Sequence, residues 1–337
     1  MAQLIFTDEG LVELVTNLTS KVKNTLIVAD SYSYPIVAEL GDTVLIISNE
    51  IEPADEIRHD REYNAVIAIG GCTALDVGKY IAAGVCEHYA IPTLSTGCIS
   101  KEYGLLRRGG KTVKMVSESP NQTIVSYPFV MGGNQADVIK WTSSGFGDSL
   151  SHFGRILEFV TDPKNSYTEK VINDGYWPTV VSLGPEFITT AKWVLEDFVG
   201  YDKKDTFEML ANLSHKISFE QRFSPGGEHK LYEALMQQNG YSAYQPTHGH
   251  LVAIGTLLTA KAIENSNPGK SGNSHLFDVL QRTFRKLSIP CSFLEIGVAN
   301  PREYLKQGLD GIADTDTLLG RYVKENGAVD LLNEVLS

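Results

Sequence analysis

The chain has few of the residues that staple a protein, anchor it in a membrane or draw it to a polyanion. Only four cysteines, Cys72, Cys86, Cys98 and Cys291, occur in 337 residues, and none forms a C-x-x-C pair. That is too few for a disulfide framework in a chain of this length, so reduced and mostly buried thiols are expected. No uninterrupted apolar run approaches the ~20 residues of a membrane span. The opening segment MAQLIFTDEGLVELV carries acids where a signal peptide carries positive charge. A cytoplasmic protein with no membrane partner is the expectation. Cations are also in deficit, with Lys+Arg 29 against Asp+Glu 41 and a formal net charge of −12. The field of such a molecule repels phosphate polymers, and nucleic acid is not an expected partner.

What is present reads as an ordinary globular protein, with 42% hydrophobic residues, 21% charged residues and 30 glycines. From Thr25 to about Ala136, Val- and Ile-rich runs alternate with helical stretches. TLIVAD, TVLIIS and AVIAIG read as buried parallel strands, and LDVGKYIAAGVCEHY as an intervening helix. This is the βαβ rhythm of a doubly wound, Rossmann-like α/β domain. After the turn signal MGGNQ the strand pattern fades. Amphipathic segments follow, among them SLSHFGRILEFV, EFITTAKWVLEDFV, FEMLANLSHKI, HLVAIGTLLTAKAI and HLFDVLQRTFRKL. The expected organisation is an α/β domain over residues 1–134 and an all-α domain over residues 135–337, with the polar stretch Glu264–Ser274 as an exposed loop.

Two sets of residues could carry chemistry. In AIGGCTALDVGKYIAA a strand ends in Gly70-Gly71 and a helix begins, so backbone amides can approach a diphosphate closely. A tight strand-to-helix turn without a ligand explains the same glycines, and the pattern is neither G-x-G-x-x-G nor a P-loop. In the helical half, Asp148 in SGFGDSLSHF, His229 in SPGGEHKLYEAL and His248 in PTHGHLVAIG offer one carboxylate and two imidazoles. That set suits a divalent metal with coordination left open for substrate. Singly, Asp148 reads equally as a helix N-cap, and each histidine as a hydrogen-bonded, half-buried side chain.

Taken together, these segments resemble the metal-dependent polyol dehydrogenases, the superfamily of iron-containing alcohol dehydrogenases, glycerol dehydrogenase, sn-glycerol-1-phosphate dehydrogenase and dehydroquinate synthase. The resemblance spans nearly the whole chain. It rests on the Gly-Gly turn followed by Asp76 and Lys79, on IPTLSTGCIS, and on G-F-G-D, G-G-E-H and H-G-x-x-V-x-I-G-T, each of which is expected to open a helix. The nearest branch is the glycerol-1-phosphate dehydrogenases. The resemblance implies a dehydroquinate synthase-like fold, with NAD or NADP held by Gly70, Gly71, Thr73, Asp76, Lys79, Thr93, Ser95 and Thr96. It implies a metal held by Asp148, His229 and His248, with zinc first by ligand set and iron or nickel compatible. The implied activity is NAD(P)-dependent hydride transfer to or from a small polyhydroxylated alcohol, phosphorylated or not, with a homo-oligomer as the usual assembly.

Several positions depart from the branch. Glu233 stands where a substrate-contacting histidine is usual, Cys98 where an Asp binds the glycerol portion, Cys72 where a third glycine is common, and His250 where Glu follows H-G. These changes argue against simple sn-glycerol-1-phosphate activity. His250, grouped with the three ligands as a catalytic candidate, reads as a proton relay, a group behind the ligands, or a surface residue. His152 lies one turn beyond Asp148, within reach of the same ion or of substrate. Lys101, Arg107, Arg108, Lys111 and Lys114 concentrate positive charge on an expected hairpin, for a ligand anion or simply for solvent. Glu50, after the strand TVLIIS, slightly favours NAD. The competing enzyme reading is a sugar-phosphate cyclase resembling dehydroquinate synthase, with NAD reduced and reoxidised within one turnover. Asp148 in place of Glu, and the absence of G-H-x-x-G-H-A at His229, weigh against it. A non-catalytic sensor on the same scaffold is a third reading.

Overall fold

In the computed structural model of the protein, described for residues 3–48, 50–60, 62–93, 103–109, 111–116, 118–161, 177–220, 226–238, 247–266, 275–298 and 300–335, strands and helices alternate and then give way to helices. The order is β1 (Gln3–Thr7), α1 (Leu11–Lys21), β2 (Thr25–Ala29), α2 (Tyr34–Val37), β3 (Asp42–Leu45), α3 (Ile51–Asp60), β4 (Ala65–Gly70), α4 (Cys72–Ala82), β5 (Glu87–Pro92), β6 (Tyr103–Arg108), β7 (Lys111–Val116) and β8 (Gln122–Ser126). Helices α5 (Tyr127–Met131), α6 (Gln135–Thr161), α7 (Trp177–Glu196), α8 (Lys204–Glu220), α9 (Gly227–Met236) and α10 (His248–Ser266) follow. The chain ends in α11 (Leu276–Lys286), α12 (Pro301–Ile312), α13 (Leu318–Asn326) and α14 (Val329–Val335).

Six strands form one parallel sheet in the order β1-β8-β5-β4-β2-β3, and β6 and β7 form the expected antiparallel hairpin. Every residue of β2 and β4 is buried. The two-residue period of a strand divides their side chains between the faces. Ile27, Ile67 and Ile69 meet Leu11, Leu14, Val15 and Leu18 of α1 on one face. Leu26, Val28 and Val66 meet Ile51, Ala54, Val77 and Ile81 on the other. Covering on both faces is what continuous Val- and Ile-rich runs require.

Two strand-region expectations need correction. The second run, TVLIIS, is parallel strand only to Leu45, lies at the sheet edge and is at most half-buried, because a single neighbour, β2, pairs with it. The stretch LDVGKYIAAGVCEHY is helical only to Ala82, beyond which its last residues open β5. The chain leaves β2 towards β3 on one side and returns to place β4 on the other. Open α/β sheets take ligands at the carboxyl ends beside such a reversal, here those of β2 and β4.

The division between compact units also differs from a single cut at residue 134. One unit contains residues 1–142 and 200–221, and the other residues 143–199 and 222–337. The boundary falls inside α6. Helix α8 belongs with the sheet because Phe207 and Ala211 bury against Val125 and Val130. In the second unit α10 is buried almost all round, from Gly249 to Ile263. Leu251, Ile254 and Leu258 pack there with Leu231, Leu235, Leu305, Leu309 and Leu319. A helix apolar on every side has no face to spare for solvent. Among the described residues no helix is long and apolar enough to cross a membrane.

Candidate metal centre and dinucleotide turn

The second unit brings Asp148, His229 and His248 together from three helices. Asp148 lies in the middle of α6, not at its start, so the N-cap reading fails and G-F-G-D does not open a helix. Gly147 of that motif serves a helix crossing instead. A β-carbon at Gly249 would overlap the carbonyl oxygen of Ser144 and lie 2.6 Å from its carbonyl carbon. One at Gly147 would strike the carbonyl oxygen of Gly249. Backbones this close place Asp148, the residue after Gly147, beside His248, the residue before Gly249. On α10, a β-carbon at Gly255 would lie 2.7 Å from the Glu228 Cα, so a bare backbone there admits the first turn of α9 and with it His229. G-G-E-H and H-G-x-x-V-x-I-G-T do open helices, at Gly227 and His248.

Asp148 Oδ1 lies 3.1 Å from His248 Nε2 and 3.6 Å from His229 Nε2. One donor atom from each of the three residues falls within 4.8 Å of the others, and all three residues are half-buried. A carboxylate and two imidazole nitrogens converging at this spacing fit a divalent cation. Burial by itself would raise Asp148, but the His248 and His229 imidazoles override it and hold the carboxyl well below its ordinary value. Burial would likewise lower His229, but hydrogen bonds to Asp148 and Glu228 push it up to about 9. Such mutual dependence is expected where opposite charges share a poorly solvated site.

Around the cluster, the expected neighbours divide. His250 is buried rather than exposed, and its Nε2 lies 2.9 Å from Ser143 Oγ, so it does not join the convergent three. Two positions along a helix place side chains about 200° apart, which accounts for the separation from His248. His152 is buried with its ring centroid 5.5 Å from that of His229, and it too stands outside the donor group. Glu233 turns outward to Lys230 Nζ at 2.7 Å, with half of its side chain exposed. Sequence reasoning overlooked two residues. Tyr232 packs edge-on against His248 with centroids 4.4 Å apart. Glu228 is fully buried, with Oε1 3.2 Å from His229 Nδ1. The only available signal for Glu228 was an acid beside His229, which by itself reads as a charge favouring a helix start.

In the first unit, Gly70, Gly71, Thr73 and Thr93 gather at the carboxyl ends of β4 and β5, where the Thr93 N–H donates to Gly70 O at 3.0 Å. Gly70 has φ 140°, and a β-carbon there would lie 2.5 Å from the Asp30 Cγ. Asp30, another residue missed in the sequence, ends the TLIVAD run. Its Oδ2 accepts the Gly71 N–H at 2.8 Å, and its Oδ1 accepts the Ser33 N–H at 2.9 Å. The Gly71 amide is therefore already engaged by an internal carboxylate. Asp76 and Lys79 are both buried. They pair at 2.8 Å, and Asp76 Oδ2 accepts the Leu105 N–H of the hairpin at 3.0 Å. The pair ties α4 to β6, a use that D-x-x-K spacing alone does not separate from cofactor contact. Glu50 pairs with Arg107 at 3.6 Å. Ser95, Thr96, Cys98 and Lys101 lie outside the described residues.

No family model matches the chain. A glycerol-1-phosphate dehydrogenase [NAD(P)+] of Archaeoglobus fulgidus is 22% identical over 307 residues, 88% of this chain and 78% of the relative. The enzyme of the same description from Methanococcus maripaludis is 23% identical over 295 residues, 85% and 82% of the two chains. Among solved structures, a probable glycerol dehydrogenase from Sinorhizobium meliloti superposes with TM-score 0.70 at 14% identity, covering 98% of this chain and 96% of its own. The chain therefore shares its fold with this dehydrogenase. The NADH-dependent butanol dehydrogenase A of Thermotoga maritima has the same fold, at TM-score 0.63 and 15% identity over 100% of this chain and 97% of its own.

Proposed function

We propose that the protein is an NAD(P)-dependent, metal-dependent oxidoreductase. It moves a hydride between the dinucleotide and a small polyhydroxylated alcohol, phosphorylated or not, or the carbonyl partner of that alcohol. The observation that carries this reading is the convergence of Asp148, His229 and His248 in a chain whose sequence relatives are named glycerol-1-phosphate dehydrogenases. Asp148, His229 and His248 would hold the ion, with zinc first by donor set and iron or nickel compatible. A divalent cation there supplies Lewis-acid chemistry at a substrate oxygen. The chain's own contribution is placement. Helices α6, α9 and α10 fix the three donors, and Tyr232 restrains the His248 ring. Beyond the Gly71 amide that Asp30 holds, the first turn of α4 would offer a dinucleotide its diphosphate site. Glu233, paired to Lys230, leaves no imidazole at the position used by the phosphate-binding branch, which supports a substrate other than simple glycerol 1-phosphate. Residence in the cytoplasm belongs to the same proposal. A homo-oligomer is part of the same proposal.

The test is near-ultraviolet absorbance of zinc-loaded protein mixed with NAD or NADP and a panel of polyols and sugar phosphates, with substrate followed in parallel. Lasting, stoichiometric formation of reduced cofactor is expected. Substrate loss without lasting reduction would replace this reading by internal cofactor recycling in a cyclase. In the same assay His229→Ala loses metal and turnover while dinucleotide binding persists, and a variant that keeps metal and activity refutes the ligand assignment.

A further inference from the structure

Behind His229 the second unit buries two carboxylates. Glu228 and Glu158 are both fully buried, and the Arg155 guanidinium, itself buried, pairs with Glu158. Glu158 Oε1 accepts the Gly227 N–H at 3.2 Å, which caps the start of α9. Glu228 has a different task. Its Oε1 accepts the Gly226 N–H at 2.9 Å and faces His229 Nδ1 at 3.2 Å, while Oε2 has no hydrogen-bond partner among the described residues. A buried carboxylate is destabilising unless paired, and the Gly226 cap alone does not account for Glu228. The space for it is purpose-made, since Gly255 lacks the β-carbon that would press on the Glu228 backbone.

We infer that Glu228 is a positioning residue for the metal centre: by accepting a hydrogen bond from His229 Nδ1 it aims His229 Nε2 at the point shared with Asp148 and His248. The two ring nitrogens then have separate partners, Nδ1 with Glu228 and Nε2 on the side of Asp148 Oδ1. An imidazole tethered through one nitrogen cannot swing about χ2, and its other lone pair stays where the ion would sit. A carboxylate partner strengthens the imidazole as a donor more than a neutral acceptor does. The inference rests on the proposed ligand set, and its test separates the two.

Zinc affinity is measured by competition with a chromophoric chelator for the wild-type protein, Glu228→Leu, Glu228→Gln and His229→Ala. Far-UV circular dichroism melts accompany it, and the Nδ1 resonance of His229 is read by ¹⁵N NMR of the zinc-loaded protein. Glu228→Leu is expected to weaken zinc about 10–100-fold and to shift the Nδ1 resonance. Glu228→Gln, whose amide oxygen still accepts from Nδ1, recovers most of the affinity with a smaller shift. A role confined to packing would lower the melting temperature and move neither zinc affinity nor Nδ1. That result overturns the inference, as does an unshifted Nδ1 in Glu228→Gln if the leucine variant does not fold. Should His229→Ala bind zinc as the wild type does, the ligand assignment itself falls.

Discussion

Gly147 and Gly249 mark the point where two helix backbones touch, and each stands next in sequence to a candidate metal ligand. A methyl group at Gly249 would run into Ser144, so Gly249→Ala must push α6 and α10 apart. Overpacking of this kind costs about 1–3 kcal/mol. The expected outcome is a lower melting temperature together with weakened zinc binding, because Asp148 and His248 separate. Alanine at exposed Gly84, which meets nothing nearby but has φ 71°, should affect stability alone. Unchanged zinc affinity in folded Gly249→Ala would break the link between crossing and site.

The His229 imidazole, pushed up to about 9 in the metal-free protein, sets a pH dependence. Its folded value lies above the ordinary 6.5, so the charged ring stabilises fully below about 6.5, and that contribution fades as pH rises through about 9. Chelator-treated protein should lose melting temperature across that interval, and His229→Gln should flatten the slope. Asp148 does not contribute there, since its carboxyl is held well below its ordinary value and its effect belongs to acid. Zinc must displace the His229 proton, so apparent zinc affinity should climb with pH up to about 9, with proton release visible by calorimetry in buffers of different ionisation heat.

Lys79→Met should be a stability variant rather than a cofactor variant. Lys79 and Asp76 are buried against each other, and removing one partner strands a charge at a cost of about 3–5 kcal/mol. Asp76→Asn combined with Lys79→Met should recover much of that loss in urea unfolding. Near-normal stability with a raised KM for the dinucleotide would restore the cofactor-contact role.

Gly70→Ala should damage the dinucleotide turn directly. At φ 140° an L side chain is strained, and its β-carbon would meet the Asp30 carboxylate. A cost of about 1–3 kcal/mol and weakened dinucleotide binding are expected, read by thermal melting and by fluorescence titration with NADH. Zinc binding in the second unit should be unaffected.

Much of this arrangement was readable from residue order. Val- and Ile-rich runs identified β2 and β4 as strands buried on both faces, and apolar spacing identified α6, α7, α8, α10 and α11 but not the last three helices. The three donors were legible because each lies in a glycine-marked motif. The role of those glycines was not: G-F-G-D looks like a helix start, since glycine is costly inside a helix, and only the crossing with α10 explains Gly147. D-x-x-K spacing puts Asp76 and Lys79 on one helix face without saying whether that face is wet or buried. Glu228 escaped notice because an acid in the first turn of a helix is ordinary, and its burial depends on Gly255, 27 positions further along.

Helix α8 has a consequence for handling the molecule. The chain passes from one unit to the other after residues 142, 199 and 221, so no single cut yields both units whole. A fragment ending at residue 142 would leave Val125 and Val130 without Phe207 and Ala211 and carry a sticky apolar scar prone to self-association. Dividing the protein cleanly requires grafting residues 200–221 back on through a new linker, and a protease cutting between α7 and α8 would nick the chain without freeing either half.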